Sequence, residues 1–326
     1  MEKVKIGVIG LGHNGMAFCE RYAKNPRCEL TAVCDTDAER LDTAVRAYGA
    51  KGYADYGILN DKSIQAISIH TPDHLHREAF VMAMEAGFHV FVEKPMADTE
   101  KDVQAMVETY RKHTDKTALV GHILRYDAYF ALIKKWIGLG LLGEIFYLEA
   151  DYIHDLRYQY HMEPWKVETE IPMVGGGCHP LDILRWYTGD AVKVSAMQNH
   201  ISYREMKADT AQTAIFTFAS GAVGKVTSLY GSVGPRPDNF NLSVYGTKGT
   251  VVRNKVSFDG MHSWMDIPEA FDPSHDYMPE IDHFSDCITG RAKPLITPAD
   301  AANTVIAALC AVKSAASGQM LDIPKY

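Results

Sequence analysis

"KVKIGVIGLGHNG", Lys3 to Gly15, decides the fold. Val4, Ile6, Val8 and Ile9 make the short apolar run of a buried strand. The run breaks at Gly10, and Gly10, Gly12 and Gly15 follow as G-x-G-x-x-G, after which Asn14 to Tyr22 reads as helix. A strand, a glycine turn and a helix in that order let the backbone approach a pyrophosphate and offer it the spare N–H groups of a helix N-terminus. His13 and Asn14, inside the motif, join Gly10 and Gly12 as candidates for cofactor contact. Alone, such a motif is no more than a turn. A second signal stands twenty residues beyond Gly15, where the strand-like "ELTAVCD" ends on Asp35, the place of an acid that accepts from the adenosine ribose hydroxyls. A carboxylate there repels a 2′-phosphate, and Thr36 beside it brings no positive charge, so NAD is favoured over NADP.

The alternation continues. "TDAE", Thr36 to Glu39, reads as a capping box opening a helix that stops near Gly49, and "IQAISI" (64–69) is the next strand. "HTPDHLHREAFVMAMEAG" is a loop and a helix ended by Gly87, and "FHVFVEK" is a strand running into Pro95. Strands alternating with helices imply an α/β, doubly wound parallel sheet whose ligands bind beyond the strand C-terminal ends. His70 to His76 and Glu93 to Pro95 are therefore expected to face the cofactor crevice. Three histidines (70, 74 and 76) suggest metal by count, but no acid or cysteine joins them at a recognised spacing. They read as surface or supporting residues of the cofactor site, with no metal. Lys94 ends a buried strand, and Pro95 after it favours an extended backbone and admits a cis bond. A lysine at a strand end is ordinarily just solvated; this strand end belongs to the predicted crevice, so its amine becomes a catalytic candidate.

The bulk properties fit. A chain of 326 residues has room for two domains, and 47% hydrophobic with 23% charged residues is an ordinary globular composition. A net charge of −8 without any Lys/Arg run argues against nucleic acid or an acidic membrane surface and for a small, largely neutral partner. The six cysteines (19, 28, 34, 178, 287 and 310) have no CxxC spacing, which suggests reduced thiols and a cytoplasmic location. No signal peptide precedes the first strand, and no apolar stretch approaches the ~20 residues of a membrane span.

In the second half, "GEIFYLEADYIHDL" is strand-like, 210–231 reads as a hairpin turning at Ser220-Gly221, and 240–258 as another turning between Gly246 and Gly249. Long hairpins give an antiparallel sheet. Thr297 and Pro298 open a last helix that runs to Gly318 and is free to fold back on the first domain. "VGGGCHPLD", Val174 to Asp182, delivers glycines to a helix entrance at His179, with Pro180 tolerated in the first turn. The glycines are expected to bring the backbone close to substrate and cofactor. A helix N-terminus disfavours the imidazolium, which keeps His179 available as a base.

The chain resembles the Gfo/Idh/MocA family, the glucose-fructose oxidoreductase and inositol dehydrogenase group, along nearly its whole length. The resemblance rests on "GLGHNG", "HTPDHLH", "EKP", "GHILRY" followed by "GLGLLGEI", "GGGCHPLDILRW", "EIDHFSDCITG" and "SGQMLDIP". It implies an N-terminal Rossmann domain (1–121) and a C-terminal α/β domain (122–326) with a large open, mainly antiparallel sheet that pairs copies into dimers or tetramers. It implies that Lys94 is the active-site lysine, that Thr71, Pro72 and His76 line the cofactor beside Glu93, and that Arg125 supports the substrate site. One departure stands out. Relatives with dehydrogenase activity usually carry Asp-x-x-x-His, and four residues before His179 this chain has Gly175. Asp182 lies one turn after His179 but matches the family's structural helix aspartate, so Glu168 and Glu170 in the preceding loop are the remaining acids. Cys178 adjoins the site without a recognisable base partner, which argues against a nucleophile.

For a hydroxyl-rich substrate the richest segment is "YIHDLRYQYHMEPWKV", with His154, Arg157, Tyr160 and Trp165, each equally readable as structural. The leading expectation is an NAD-dependent oxidoreductase acting on a sugar, cyclitol or polyol hydroxyl, with His179 as base and Lys94 on the same oxygen. The missing aspartate keeps open an NAD-dependent glycoside-cleaving enzyme that uses transient oxidation. A nucleotide-binding sensor without catalysis is a third reading, opposed by the retention of Lys94 and His179.

Overall fold

The structure is a computed structural model that describes residues 3–157, 163–233, 240–268 and 276–326. The chain forms two compact units, Met1–Ile123 with Asp276–Ala302, and Leu124–His275 with Asn303–Tyr326. The segment 276–302 thus groups with the N-terminal unit, whereas the sequence reading drew one boundary, between 121 and 122.

The first unit is a six-stranded sheet in the order β3-β2-β1-β4-β5-β6, every pair parallel. Its strands are β1 (Val4–Ile9), β2 (Cys28–Cys34), β3 (Lys51–Tyr53), β4 (Ala66–Ile69), β5 (His89–Glu93) and β6 (Ala118–Gly121). Helices α1 (His13–Lys24), α2 (Ala38–Tyr48), α3 (His76–Glu85) and α4 (Glu100–Lys112) alternate with them. Continuous apolar strands covered on both faces are what parallel sheets require, and Ile6, Val8, Ile67, Val90 and Val92 are all fully buried. The cap of α2 is Asp37, not Thr36: its carboxylate accepts from the Glu39 and Arg40 N–H groups, as the stronger N-cap residue of the two. Gly49 closes that helix at φ 67°, the left-handed position that a side chain resists.

The late helix α9 (Met278–Ile288) belongs to this unit. Phe284 sits at 5.9 Å from Phe91 and joins Phe18 and Tyr22 in the core, each such ring contributing roughly 1.5–3 kcal/mol of burial. Asn25 donates to Asp282 at 2.8 Å and Arg27 pairs with Asp286 at 3.0 Å, which fixes the helix beside β2.

The second unit carries a nine-stranded mixed sheet, mostly antiparallel, in the order β14-β13-β12-β11-β7-β10-β9-β8-β15. The strands are β7 (Ile145–His154), β8 (Ala191–Asn199), β9 (Ala211–Phe218), β10 (Val223–Tyr230), β11 (Phe240–Gly246), β12 (Gly249–Val252), β13 (Lys255–Phe258), β14 (Met265–Asp266) and β15 (Leu321–Asp322). Both anticipated hairpins form, β9 with β10 and β11 with β12. The central β7 pairs parallel with β10 and antiparallel with β11. On β9 the buried face is Gln212, Ala214, Phe216 and Phe218, the alternation of a sheet covered on one side.

The helices of this unit are α5 (Ala128–Gly138), α6 (Trp165–Thr169), α7 (Pro172–Gly175) and α8 (Cys178–Thr188), and α10 (Pro298–Ser317) runs across the division between the units. Helix α8 lies against β7 and β10 with Cys178 to Arg185 all buried. Its buried charges are paired: Asp182 takes two bonds from Arg125, both 2.7 Å, and one from Thr304 at 2.9 Å, while Arg185 binds Asp190 at 2.5 Å. Buried ions are tolerated only in such company. No helix among the described residues is long and apolar enough to cross a membrane.

Candidate active site

In the first unit the glycine motif connects β1 to α1, with Gly12 as N-cap and no side chain capping the helix. Gly10 has φ 89°, and a Cβ there would stand 2.6 Å from the His70 carbonyl. A Cβ at Gly15 would lie 1.8 Å from the Gly10 carbonyl oxygen. Both are glycine because their own backbone demands it. Gly12 differs, since nothing lies within 4 Å of the position its Cβ would take. That open volume at a helix N-terminus suits the close approach of a pyrophosphate, and the cradle fits a dinucleotide. His13 is exposed and Asn14 half-buried at the same helix start.

Asp35, at the end of β2, is buried and heavily engaged. Its Oδ2 accepts from the Leu11 N–H at 2.7 Å and its Oδ1 from the Asp37 N–H at 2.8 Å. Arg40, from the first turn of α2, donates to both oxygens, Nη2 to Oδ1 at 3.0 Å and Nε to Oδ2 at 3.3 Å. This cation stands five residues from Asp35 in sequence, whereas Thr36 beside the acid carries no charge. The signal lay in helical geometry, because α2 turns its first-turn side chains back toward the strand end.

The loop after β4 splits the histidine group. His70 points into the core, its ring 4.2 Å from Phe18 and its Nε2 2.7 Å from Ser68, whose hydroxyl accepts from Tyr22 at 2.9 Å. Burial pushes its imidazole down to about 3, so it is neutral and does not face a crevice as the sequence suggested. The fully buried run of β4 simply extends one residue further. His76 is fully buried too, lowered to about 4 by burial, with Nδ1 at 2.8 Å from the Pro95 carbonyl and Nε2 at 2.9 Å from that of Thr71. A neutral imidazole has one N–H, so one of these contacts is a hydrogen bond at a time. His76 acts as a strut between the two loops, while Thr71 and Pro72 remain half-buried and His74 exposed.

Lys94 follows β5 half-buried, and its N–H donates to Glu93 Oε2 at 3.1 Å. The Lys94–Pro95 peptide is cis. Behind it Glu93 is buried, with Oε1 3.8 Å from His70 Nδ1. Glu280 of α9 is fully buried with neither carboxyl oxygen hydrogen-bonded, and burial followed by the nearby Glu93 raises its carboxyl well above the usual range. Glu280 opens "EIDHFSDCITG", a stretch whose pattern marks the family resemblance without assigning this acid a role.

In the second unit β7 carries Tyr152 and His154 on one face, two residues apart, and β10 places Tyr230 opposite His154. The Tyr152 ring stacks on His154 at 5.4 Å and 20°, and on His179 at 6.0 Å and 19°. His179 is the second residue of α8 and is buried. The glycines before it serve the protein itself and not, as expected, the substrate or cofactor. A Cβ at Gly175 would lie 2.2 Å from Glu170 Oε1; one at Gly176 would lie 2.5 Å from the Tyr152 ring and 2.7 Å from the Tyr230 hydroxyl. A Cβ at Gly177 would lie 2.7 Å from the Met173 carbonyl. Tyr152 and Tyr230 were missed, although the period of two in "YIHDL" puts Tyr152 on the face of His154.

The other candidates scatter. Arg125 is committed to Asp182, and Arg157 is exposed and paired with its neighbour Asp155 at 2.5 and 2.7 Å. Trp165 is half-buried at the start of α6, with Lys166 5.6 Å over its ring. Tyr160 lies outside the described residues.

Known proteins share this plan. An oxidoreductase from Agrobacterium radiobacter, solved in complex with NAD+, L-tartaric acid and magnesium, superposes with a TM-score of 0.89 at 22% identity over 98% of each chain, a likeness of fold. Levoglucosan dehydrogenase of Pseudarthrobacter phenanthrenivorans is 26% identical over 291 residues, 78% of this chain and 74% of that protein. Glycosyl hydrolase family 109 protein 2 of a Shewanella species (strain ANA-3) is 32% identical over 170 residues; this is 49% of this chain but spans only 37% of that longer relative. Residues 4–122 match the oxidoreductase family with the NAD-binding Rossmann fold and residues 130–252 the GFO/IDH/MocA C-terminal domain, so that both halves of the sequence lead to one place: the chain belongs to the Gfo/Idh/MocA family.

Proposed function

We propose that the protein is an NAD-dependent oxidoreductase acting on a secondary hydroxyl of a sugar, cyclitol or related polyol. The observation that carries this reading is the open space over Gly12 at the start of α1, beside the buried carboxylate of Asp35. Gly10, Gly12, His13 and Asn14 would hold the pyrophosphate and Asp35 the adenosine ribose, with Thr71, Pro72 and Glu93 toward the nicotinamide end. Bound there, NAD would supply the acceptor for the hydride, with both electrons, that leaves the carbinol carbon. His179 takes the hydroxyl proton, and the Lys94 ammonium donates a hydrogen bond to the oxygen, stabilising the alkoxide character that develops as the proton leaves. Tyr152 and His154, stacked beside His179, offer the flat faces and polar edges that a hydroxyl-rich ring uses. A sugar derivative as substrate also agrees with the levoglucosan dehydrogenase relative.

NAD is preferred over NADP because Asp35 opposes a 2′-phosphate, although Arg40 moderates that opposition. Six unbridged, buried thiols agree with a cytoplasmic enzyme. On the outward face of the large sheet Met197, Ile215 and Val223 are exposed, which agrees with pairing to a second copy.

The test is reduction of NAD+ by the purified protein against a panel of sugars, cyclitols and polyols. Lys94→Ala and His179→Ala are each expected to lower kcat about 10²- to 10⁴-fold while calorimetry shows NAD+ still binding. A protein that binds NAD+ but is inert toward the whole panel overturns the dehydrogenase reading. Release of an aglycone without net NADH would move it to the glycoside-cleaving chemistry suggested by the glycosyl hydrolase family 109 match.

A further inference from the structure

Position 175 lacks an acid, yet the space a side chain would fill there is occupied by one. Glu170, the C-cap of α6, reaches over so that its Oε1 stands 2.2 Å, and its Cδ and Cγ 2.8 Å, from where a Cβ of residue 175 would be. Its side chain is buried, held by the Tyr230 hydroxyl, which donates to Oε1 at 2.6 Å. The other oxygen, Oε2, is buried without a hydrogen-bond partner in the protein. A carboxylate in that state needs a further donor or cation nearby to offset its desolvation.

The backbone brings His179 to the same side of the chain as position 175. The Gly175 N–H donates to Ile171, those of Gly176 and Gly177 to Pro172, and that of His179 to Gly176. Gly176 and Gly177 keep right-handed helical angles, so residues 175 and 179 stand one turn apart on one side of the chain. The ring against Gly176 is Tyr152, which also stacks on His179, and the hydroxyl against Gly176 is that of Tyr230, which holds Glu170. Four side chains from α6, β7, β10 and α8 therefore close around two glycines. The alternative acids are excluded by position, because Glu168 is exposed and Asp182 is spent on Arg125 and Thr304.

We propose that Glu170 is the positioning residue of His179, a carboxylate supplied from the preceding helix to the place that position 175 leaves vacant. Resting on His179 as the base, the proposal gives Glu170 the work of orienting the imidazole and stabilising the imidazolium formed on proton uptake. No bond to Glu170 is made or broken. The titratable groups that share the cluster are Tyr152 and His154 of β7, Tyr230 of β10, and Cys178 of α8, whose thiol donates to the Gly175 carbonyl at 3.3 Å.

Two measurements separate this proposal from the dehydrogenase reading. Glu170→Gln keeps size and the Tyr230 contact but removes charge. By NMR the His179 imidazole should then titrate about one pH unit lower than in the wild-type protein, whatever the substrate. An unchanged His179 titration overturns the proposal even if the enzyme is a dehydrogenase. With an active substrate in hand, Glu170→Ala should lower kcat about a hundredfold with KM little changed. Moving the acid back with Glu170→Ala plus Gly175→Asp should recover at least tenfold of that loss. A folded double variant no faster than Glu170→Ala also overturns it.

Discussion

The two glycine stretches of this chain, 10–15 and 175–177, look alike in one-letter code and are built for opposite reasons. In the first, Gly10 and Gly15 let the chain pack against itself, and Gly12 keeps a volume empty for something that comes from outside. In the second no volume is left: Glu170 fills the space at Gly175, the Tyr152 ring and Tyr230 hydroxyl that at Gly176, and Met173 that at Gly177. A run of glycines beside a functional residue therefore marks close approach without saying of what. The would-be Cβ tells ligand space from side-chain space.

The largest effect that tests this contrast lies within the first stretch. Gly15→Ala sets a methyl against a carbonyl of the same loop, which no rotamer can relieve, and should cost more than about 3 kcal/mol, seen as a fall in Tm or loss of folded protein. Gly12→Ala, three residues earlier and at φ −66°, should leave thermal stability within about 0.5 kcal/mol of the wild-type protein. It should still weaken NAD+ binding about tenfold or more by calorimetry, because the methyl enters the pyrophosphate's space. A Gly12→Ala protein that binds NAD+ normally breaks the distinction.

Buried carboxyls extend the comparison. The second unit gives one oxygen of Glu170 a phenol donor, whereas the first leaves both oxygens of Glu280 without hydrogen-bond partners, beside Glu93 and near Tyr22. Burial, then Glu93, raises the Glu280 carboxyl, so the folded chain holds a proton that the unfolded chain gives up above about pH 4.3. Stability contributed below that pH is lost as pH climbs toward the raised folded value, at up to about 1.4 kcal/mol per pH unit. Glu280→Gln keeps the shape and removes the linkage. Its stability advantage over the wild-type protein, read by thermal unfolding, should grow from pH 4 to pH 7, reaching about 1–3 kcal/mol. A difference that stays flat across that range would mean Glu280 is ionised in the folded state.

What was legible in the sequence follows from how far each signal reaches along the chain. The β1–glycine–α1 unit, the strand ending at Asp35 and both hairpins are written in residues within a few positions of one another, so period and turn chemistry reveal them. Arg40 on Asp35 is five residues away and needed a helix rotation to be seen; Tyr230 on Glu170 is sixty residues away and needed the β7–β10 pairing. The short β3 and β15 carry little apolar pattern and exist because a neighbouring strand offers an edge. His70 misled because a histidine after a strand reads as polar, while in the folded unit it continues the buried row of β4 against Phe18.

The smallest effect concerns Arg40, and it bears on the cofactor end of the comparison. An ionised carboxylate offers about four acceptor positions. On Asp35 all are engaged, by the Leu11 and Asp37 N–H groups and by two nitrogens of Arg40. The backbone donors anchor the acid between the glycine loop and α2, so the contact that a ribose can replace is the guanidinium, which is half exposed. Arg40 thus competes with the ribose hydroxyls of NAD+ for Asp35, yet offers a counter-charge to the 2′-phosphate of NADP+. Arg40→Ala should therefore leave NAD+ affinity equal or slightly tighter and weaken NADP+ binding about twofold to fivefold, the range of an exposed ion pair. Fluorescence titration of the protein with each cofactor, without substrate, reads the ratio directly. Weakening of both cofactors alike would make Arg40 a general adenosine contact and leave discrimination to Asp35 alone.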